Sequence, residues 1–338
     1  MKLQGLRALV AIVDHGSFSE AALELGVSQS TVSHAIAELE EELGVRLLER
    51  GRFGAVPTPV GERVAAHARD VEAALAAIGQ EASSHREELR GELRVSAIRS
   101  LAVHVLAPVM RSLRDTHPDV KVTVREVASW AREPLSHLRS ARVDVALTMS
   151  VLAEDVLFWD LFVDPYVAVV PEDSRFRDGP VTLRDVIKEP VILNNGPCSW
   201  PMRSALLNLE PEFRPAHEIA EDSTMVALVA RGLGVALMPA LTVDPLPGTR
   251  TLPLAEQVDR RLGVAVLPKA MKTPAVRVFL ERLRDMFPDC AVPPLRAPGG
   301  GSRHADGGGN GQLVERPADD LDRAQVLGDV QVLGGRVV

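Results

Sequence analysis

The sequence predicts an α/β protein assembled in series: a helical head of winged helix-turn-helix type, one long linker helix, and a larger body of alternating strands and helices. Three observations carry this. Ala22, Gly26 and Val32 place a small residue, a turn-forming glycine and a branched apolar residue at the offsets of a helix-turn-helix. Val64, Ala68, Val71, Leu75, Ile78 and Ala82 alternate spacings of four and three, a heptad seam. From residue 91 onward, short apolar runs alternate with helical periodicities, as in α/β sheet domains. The predicted boundaries are 1–58, 59–90 and 91–290, and 291–338 reads as a disordered tail, since it holds 10 of the 25 glycines and few large apolar residues.

In the head, Leu6, Leu9, Val10 and Val13 fall at helical spacing, and Gly16 ends that helix. Ser17-Phe18-Ser19-Glu20 is a capping box, in which the Ser17 hydroxyl accepts from the third amide and Glu20 reaches back. A short helix runs from there to Gly26, whose turn calls for positive φ. Ser28 caps the next helix, Gln29 to about Leu43, with Val32, Ile36 and Leu39 on its buried side. Its first turns carry Gln29, Ser30, Thr31, Ser33 and His34, all small or polar. A helix of this width enters the major groove, where Gln pairs with adenine and Ser or Thr bonds bases or phosphates. Residues 46–58 read as a two-stranded wing, from which Arg50 and Arg52 reach phosphates beside the groove. Glu38, Glu40, Glu41 and Glu42 sit in the far half of the recognition helix, where they can point away from phosphates. A helix-turn-helix used only for packing is the competing reading of the same spacing.

The stretch SFSEAALELGVSQSTVSHAIAELEEELGVRLLERGRFGAVPTPVGERV also resembles the winged helix-turn-helix of the LysR-type transcriptional regulators. The resemblance is carried by Ser17-Phe18, Ala21-Ala22, Val27-Ser28-Gln29, Val32-Ser33, Leu39-Glu40, Leu43-Gly44, Leu47-Leu48-Glu49-Arg50, Thr58-Pro59 and Gly61. Ser30 departs from it, standing where the family usually has proline, as does the sparse positive charge. The resemblance implies promoter DNA as partner, read by Ser28, Gln29, Ser30, Thr31, Ser33 and His34 with Arg50 and Arg52 in support.

The linker helix starts at Pro59, a favourable first-turn residue. Its single apolar seam needs a partner, either the chain's own next domain or a second copy. In the resembling family this helix pairs subunits antiparallel, which implies a dimer or tetramer and a roughly palindromic operator.

In the body, strands are predicted at Leu93–Ala97, Val120–Val124, Val143–Met149, Tyr166–Val170, Val191–Asn194, Gly234–Met238 and Gly263–Leu267, mostly parallel. Helices are predicted at Ser100–His117, around Leu135–Ser140, and at Leu183–Ile187, Arg203–Leu209, Thr224–Arg231 and Pro274–Phe287. GELRVS at 91–96, Pro108 with His117-Pro118-Asp119-Val120, the Val143–Ala146 run and the Val229–Pro239 run resemble the LysR effector domain, built like type 2 periplasmic binding proteins. Arg142 replaces the glycine usual before the Val143-Asp144 pair. The resemblance implies two subdomains, about 92–161 with 268–290 and about 162–267, separated by a hinge and a cleft.

Open α/β sheets bind ligands beyond the carboxyl ends of their strands. That rule selects Arg99, Ser100, Ser129, Trp130 and Thr148, with Asn195, Cys198 and Trp200 in one later loop and Thr224 at a helix start. Ser100 and Ser129 match positions where family members contact effectors. Helix amino termini at Ser100 and Thr224 favour a carboxylate among small-molecule effectors. Arg99 either adds charge to the cleft or faces solvent.

Composition limits the rest. The 338 residues are 46% hydrophobic and 25% charged, enough to bury a sizeable core. No apolar run reaches membrane-spanning length and the amino terminus lacks a secretory pattern, so a cytoplasmic chain with no membrane partner is expected. Net charge is −8, and the first 60 residues hold five basic against eight acidic side chains, so DNA binding must rest on where charges sit. No P-loop, HExxH, nucleophile-elbow or dinucleotide fingerprint appears, and the nine histidines do not cluster at metal-ligand spacing. An enzyme, a cofactor and a metal are therefore not expected. Cys198 and Cys290 stand far apart in sequence, which favours small-molecule sensing over a redox-responsive regulator of the same architecture. A ligand-binding protein without a DNA role is the weaker rival. The partners implied are promoter DNA, a small effector, a second copy of the chain and RNA polymerase.

Overall fold

The computed structural model describes residues 1–51, 54–84, 89–127, 132–150 and 153–292. The head packs α1 (Leu3–His15), α2 (Phe18–Leu25) and α3 (Gln29–Leu43) around one apolar core that includes Leu9, Ile12, Ala21, Val32, Ile36 and Leu39. Ser17 Oγ accepts from the Glu20 amide at 3.1 Å, the first half of the capping box. Gly26 adopts φ +64°, and its left-handed turn swings α3 away from α2. The wing follows as antiparallel β1 (Leu48–Gly51) and β2 (Gly54–Pro57). The linker helix α4 (Pro59–Ser84) then begins against the wing, where a Cβ on Gly61 would lie 1.9 Å from the Leu47 carbonyl oxygen.

The body opens with β3 (Gly91–Ile98), α5 (Arg99–Leu101), a π turn at Ala102–Leu106, and α6 (Ala107–Thr116). It continues through β4 (Val120–Val127), α7 (Arg132–Arg139), β5 (Val145–Met149) and β6 (Leu157–Pro171). Next come α8 (Leu183–Val186), β7 (Val191–Asn194), α9 (Trp200–Leu209), β8 (His217–Ile219), α10 (Asp222–Val229) and β9 (Val235–Pro239). The last elements are β10 (Thr249–Pro253), β11 (Asp259–Val266) and α11 (Pro274–Met286).

One nine-stranded sheet runs in the order β4-β3-β5-β11-β6-β9-β7-β8, with β10 on β6. The expectation of mostly parallel strands is corrected here. Pairing is parallel at the two ends, β4-β3-β5 and β9-β7-β8, while β6 and β11 cross between them antiparallel. A strand that carries the chain from one half of a sheet to the other and a strand that brings it back must run in opposite directions. The predicted helix at Ser100–His117 is interrupted by the π turn, yet its face of Leu101, Val105, Val109 and Leu113 is buried throughout. No helix among the described residues is long and apolar enough to cross a membrane. Of the predicted tail, 291–338, Ala291 and Val292 are described, with Val292 buried and the Ala291 amide donating to the Asp160 carbonyl, and the rest lies outside the described residues.

Candidate nucleic-acid interface and ligand cleft

Burial of Val32, Ile36 and Leu39 seats one face of α3 on the head, at about 1.5–3 kcal/mol for each large apolar side chain. The opposite face is left to solvent: Ser28, Gln29, Ser30 and His34 are exposed, with Thr31 and Ser33 half-buried. Ser28 Oγ accepts from the Thr31 amide at 3.2 Å and lies 2.8 Å from the hydroxyls of both Ser30 and Thr31. The helix start is therefore a preorganised cluster of hydroxyls, with Gln29 beside it.

The acidic far half of α3 is occupied by the head's own groups. Lys2 Nζ meets Glu38 at 2.9 Å and His34 Nε2 meets it at 3.3 Å. The Lys2 hydrogen bond, with its charge, holds the Glu38 carboxyl below the usual carboxylate value. Glu42 pairs with the terminal amine, and Glu40 accepts from the Leu47 and Leu48 amides at 2.7 and 3.2 Å. Arg50 belongs to β1, but its side chain, like all of Arg52, lies outside the described residues.

In the body, a cavity of about 240 Å³ opens where the loops of both halves meet. Its centre is Arg260 on β11. The guanidinium is 1% exposed, lies 2.7 Å from fully buried Asp164 on β6, and donates to Ser100 Oγ at 3.0 Å. Burial pushes the Asp164 carboxyl up, while Arg260 and the Leu241 amide, which donates to it at 3.1 Å, pull it down. At the rim, Arg99 Nη2 reaches Glu221 across the cleft at 2.7 Å, and Arg99 Nε lies 3.5 Å from Glu126. Arg99 is thus engaged in ion pairs at the rim while its side chain stays 47% exposed.

The 194–200 loop is pinned by Asn194. Its Oδ1 accepts from the Gly196 amide at 2.7 Å, and its Nδ2 donates to Asp222 at 3.2 Å. Burial raises the Asp222 carboxyl, against the pull of Arg99. Cys198 also lines the cavity, and its carbonyl accepts from the Tyr166 hydroxyl. Burial pushes the Cys198 thiol up, against the nearby Arg260 guanidinium.

Of the residues selected from sequence, Arg99, Ser100, Asn195 and Cys198 line this cavity. Thr148 does not: it is fully buried within β5. Thr224 does not either, being exposed two residues inside α10, whose capping position and first turn belong to Glu221 and Asp222. That end of the helix is occupied by acids, contrary to the expected attraction for a carboxylate. Trp200 is 63% exposed and outside the lining. Ser129 and Trp130 lie outside the described residues. Missed by the sequence reading were Arg260, Asp164, Tyr166, Glu126 and Glu221, whereas Asn194 and Asp222 fall in the loops it picked out without being chosen as ligand contacts. The Asn-x-Gly spacing of Asn194 and Gly196 was the one local signal available.

Comparisons with known proteins agree on one family. A model described as "Bacterial regulatory helix-turn-helix protein, lysR family" matches residues 3–62, and one described as "LysR substrate binding domain" matches 86–288. The chain is 38% identical over 293 residues to a protein of Synechococcus elongatus described as "Probable HTH-type transcriptional regulator LrrA", covering 86% of this chain and 98% of that one. It is 31% identical to a "Probable hydrogen peroxide-inducible genes activator" of Streptomyces viridosporus, covering 86% and 96%. Among solved structures, full-length OxyR from Pseudomonas aeruginosa, in a cysteine-to-aspartate form, superposes with a TM-score of 0.68 at 25% identity, covering 86% and 96%.

Proposed function

The chain belongs to the LysR family of DNA-binding transcriptional regulators, which carry an effector-binding domain, and from that premise we propose that the first turns of α3 read promoter base edges while the cleft around Arg260 takes a small effector. The observation that carries the reading is the division of α3: an apolar face sealed in the head, an acidic end where Glu38 and Glu42 pair with Lys2 and the terminal amine, and a polar start left open. Such a start presents donors and acceptors to the major groove without carboxylates facing phosphates. The chain works in the cytoplasm, where the promoter is.

For the effector, the described charges around the cavity are Arg99 and Arg260 against Glu126, Glu221, Asp222 and Asp164. Both arginines are already paired, so an uncharged polar molecule fits better than the carboxylate expected from sequence. An effector that binds one state of the cleft better than the other shifts the protein toward that state.

Gln29→Ala tests the DNA reading. Gln29 is exposed, so its loss costs the fold little. Operator binding should weaken by about 1–3 kcal/mol while scrambled duplex is held as before. Equal loss on both duplexes in a mobility-shift titration would contradict base readout.

Cys198 in the cavity, together with relatives named for hydrogen peroxide induction, favours a second reading in which oxidation is the trigger. It ranks lower because desolvation of the half-buried thiol holds it away from its reactive thiolate. Loss of a peroxide-dependent footprint change in Cys198→Ser would promote it over the first.

A further inference from the structure

The turn between α7 and β5 is strained and is gripped from two sides. Ala141 has φ +51°, the one positive φ outside glycine among the described residues. In that conformation Cβ crowds the following carbonyl, and it persists only where the surroundings enforce it. The Ala141 carbonyl accepts from Arg94 Nη1 at 2.8 Å, and Arg94 also forks onto Asp144 at 2.8 and 3.2 Å. The preceding carbonyl, on Ser140, accepts from Arg69 of α4 at 3.3 Å.

The next residue is Arg142. Its Nε lies 3.3 Å from Asp14 Oδ1, at the end of α1 in the head, an ion-pair contact without hydrogen-bond geometry. Arg69 Nη2 donates to the same oxygen at 2.7 Å, from a side chain that is 1% exposed. One carboxylate of the head thus holds an arginine of the linker helix and an arginine of the body. The buried Arg69 cation has Asp14 as its counter-charge, and its own Nε finds no hydrogen-bond partner among the described residues. Opening this joint would relieve the turn and hydrate Arg69, while keeping it shut preserves the ion pairs. Two opposed tendencies of this kind make a two-state element.

The rest of α4 is fixed to the body. Asp70 meets Lys269 at 2.5 Å, Gln80 Oε1 accepts from the Ala275 amide at 3.1 Å, and Glu81 meets Arg277 at 3.6 Å. The linker helix and the first half of the body therefore move as one, and freedom of the head is decided where α1 meets this unit.

We propose that the Ser140–Arg142 turn and Asp14 form a clasp within each protomer that fixes the DNA-reading head on its own effector domain, and that opening the clasp changes the head's angle. The clasp stands on the contacts alone, whereas its effect on DNA rests on the reading of α3 given above.

The test uses the full chain with Arg142→Gly, Arg142→Glu and Arg142→Lys. Arg142 is only partly buried, so these variants keep the core intact, unlike Asp14→Asn, which would leave Arg69 buried without its counter-charge. Amide exchange over residues 6–15 and 65–71 should accelerate about ten-fold in the Gly and Glu variants and stay near the native rate in Lys, with residues 143–149 unchanged in all. The operator footprint, without any effector, should change in extent for Gly and Glu alone. Native-rate exchange in Arg142→Glu would overturn the clasp. Faster exchange with an unaltered footprint would overturn its control of head angle. If no variant, nor the native chain, protects any duplex, yet exchange responds as expected, the clasp is supported and the DNA reading fails instead.

Discussion

Arg260 shows what a single side chain can do when its surroundings are dry. It and Asp164 form an ion pair with essentially no exposure, so each is tolerated only because the other is present. Arg260→Met removes the cation and strands a buried carboxylate. Stability should fall by about 3–5 kcal/mol, more than the change in apolar packing alone explains. Urea denaturation checks this, and a loss below about 1 kcal/mol would mean that water or another cation replaces the pair. None of this was legible in the sequence. The predicted strand began at Gly263, leaving Arg260 outside every predicted element, and its partner sits 96 residues away. The hydroxyl and amide set of α3 was legible because capping and groove chemistry are both local. Ser28, Gln29 and Thr31 are neighbours in sequence before they are neighbours in space.

Elements divide in the same way. Helices whose apolar residues repeat at helical spacing, such as α1, α3 and α11, were found because one buried stripe dictates both period and length. Strands β8 and β10 were missed, since HisGluIle and ThrArgThrLeuPro carry too few apolar residues to alternate. β6 was read only as Tyr166–Val170, because Asp160, Asp164 and Pro165 interrupt its fifteen residues. Its polar positions are explained by what it crosses: Asp164 serves the cleft. α7 carries a property that only the assembled element reveals. His137 is 8% exposed, its Nδ1 has no partner among the described residues, and burial holds its pKa below the usual 6.5. Arg125 and Arg142 push it the same way, while Glu133 and Asp14 oppose. The unfolded chain therefore takes up a proton that the folded chain resists. Stability should be complete above about pH 6.5 and decline as pH falls through it. The urea midpoint should drop between about pH 7 and pH 5.5, and the drop should be shallower in His137→Leu. Identical slopes in both proteins would assign the decline to other groups.

At the scale of the whole molecule, the unresolved demand is the apolar stripe on α4. The seam was read from sequence with two candidate partners, the chain's own next domain or a second copy. The chain's own domains cover only part of it. Ala68 is buried and Val64 packs against the head core. Val71, Leu75 and Ile78 remain 41%, 44% and 67% exposed. The residues by which α4 grips the body are different ones, Arg69, Asp70, Gln80 and Glu81, so the exposed stripe is free to face another molecule. A second copy packed antiparallel would bury it and would set two α3 helices at a fixed separation, as a palindromic operator requires. Ile78→Glu tests this without touching the monomer's core, because that side chain is mostly in solvent. In a two-fold dimer the change appears twice, so at about 1.5–3 kcal/mol for each apolar side chain the interface should lose roughly 3–6 kcal/mol. That corresponds to about a hundred- to ten-thousand-fold in the dimer dissociation constant. Sedimentation should show monomer at concentrations where the native chain is assembled. Operator affinity should fall with it, while a single half-site is bound as before. Native assembly in Ile78→Glu would move the subunit contact off α4 and leave this stripe without a role.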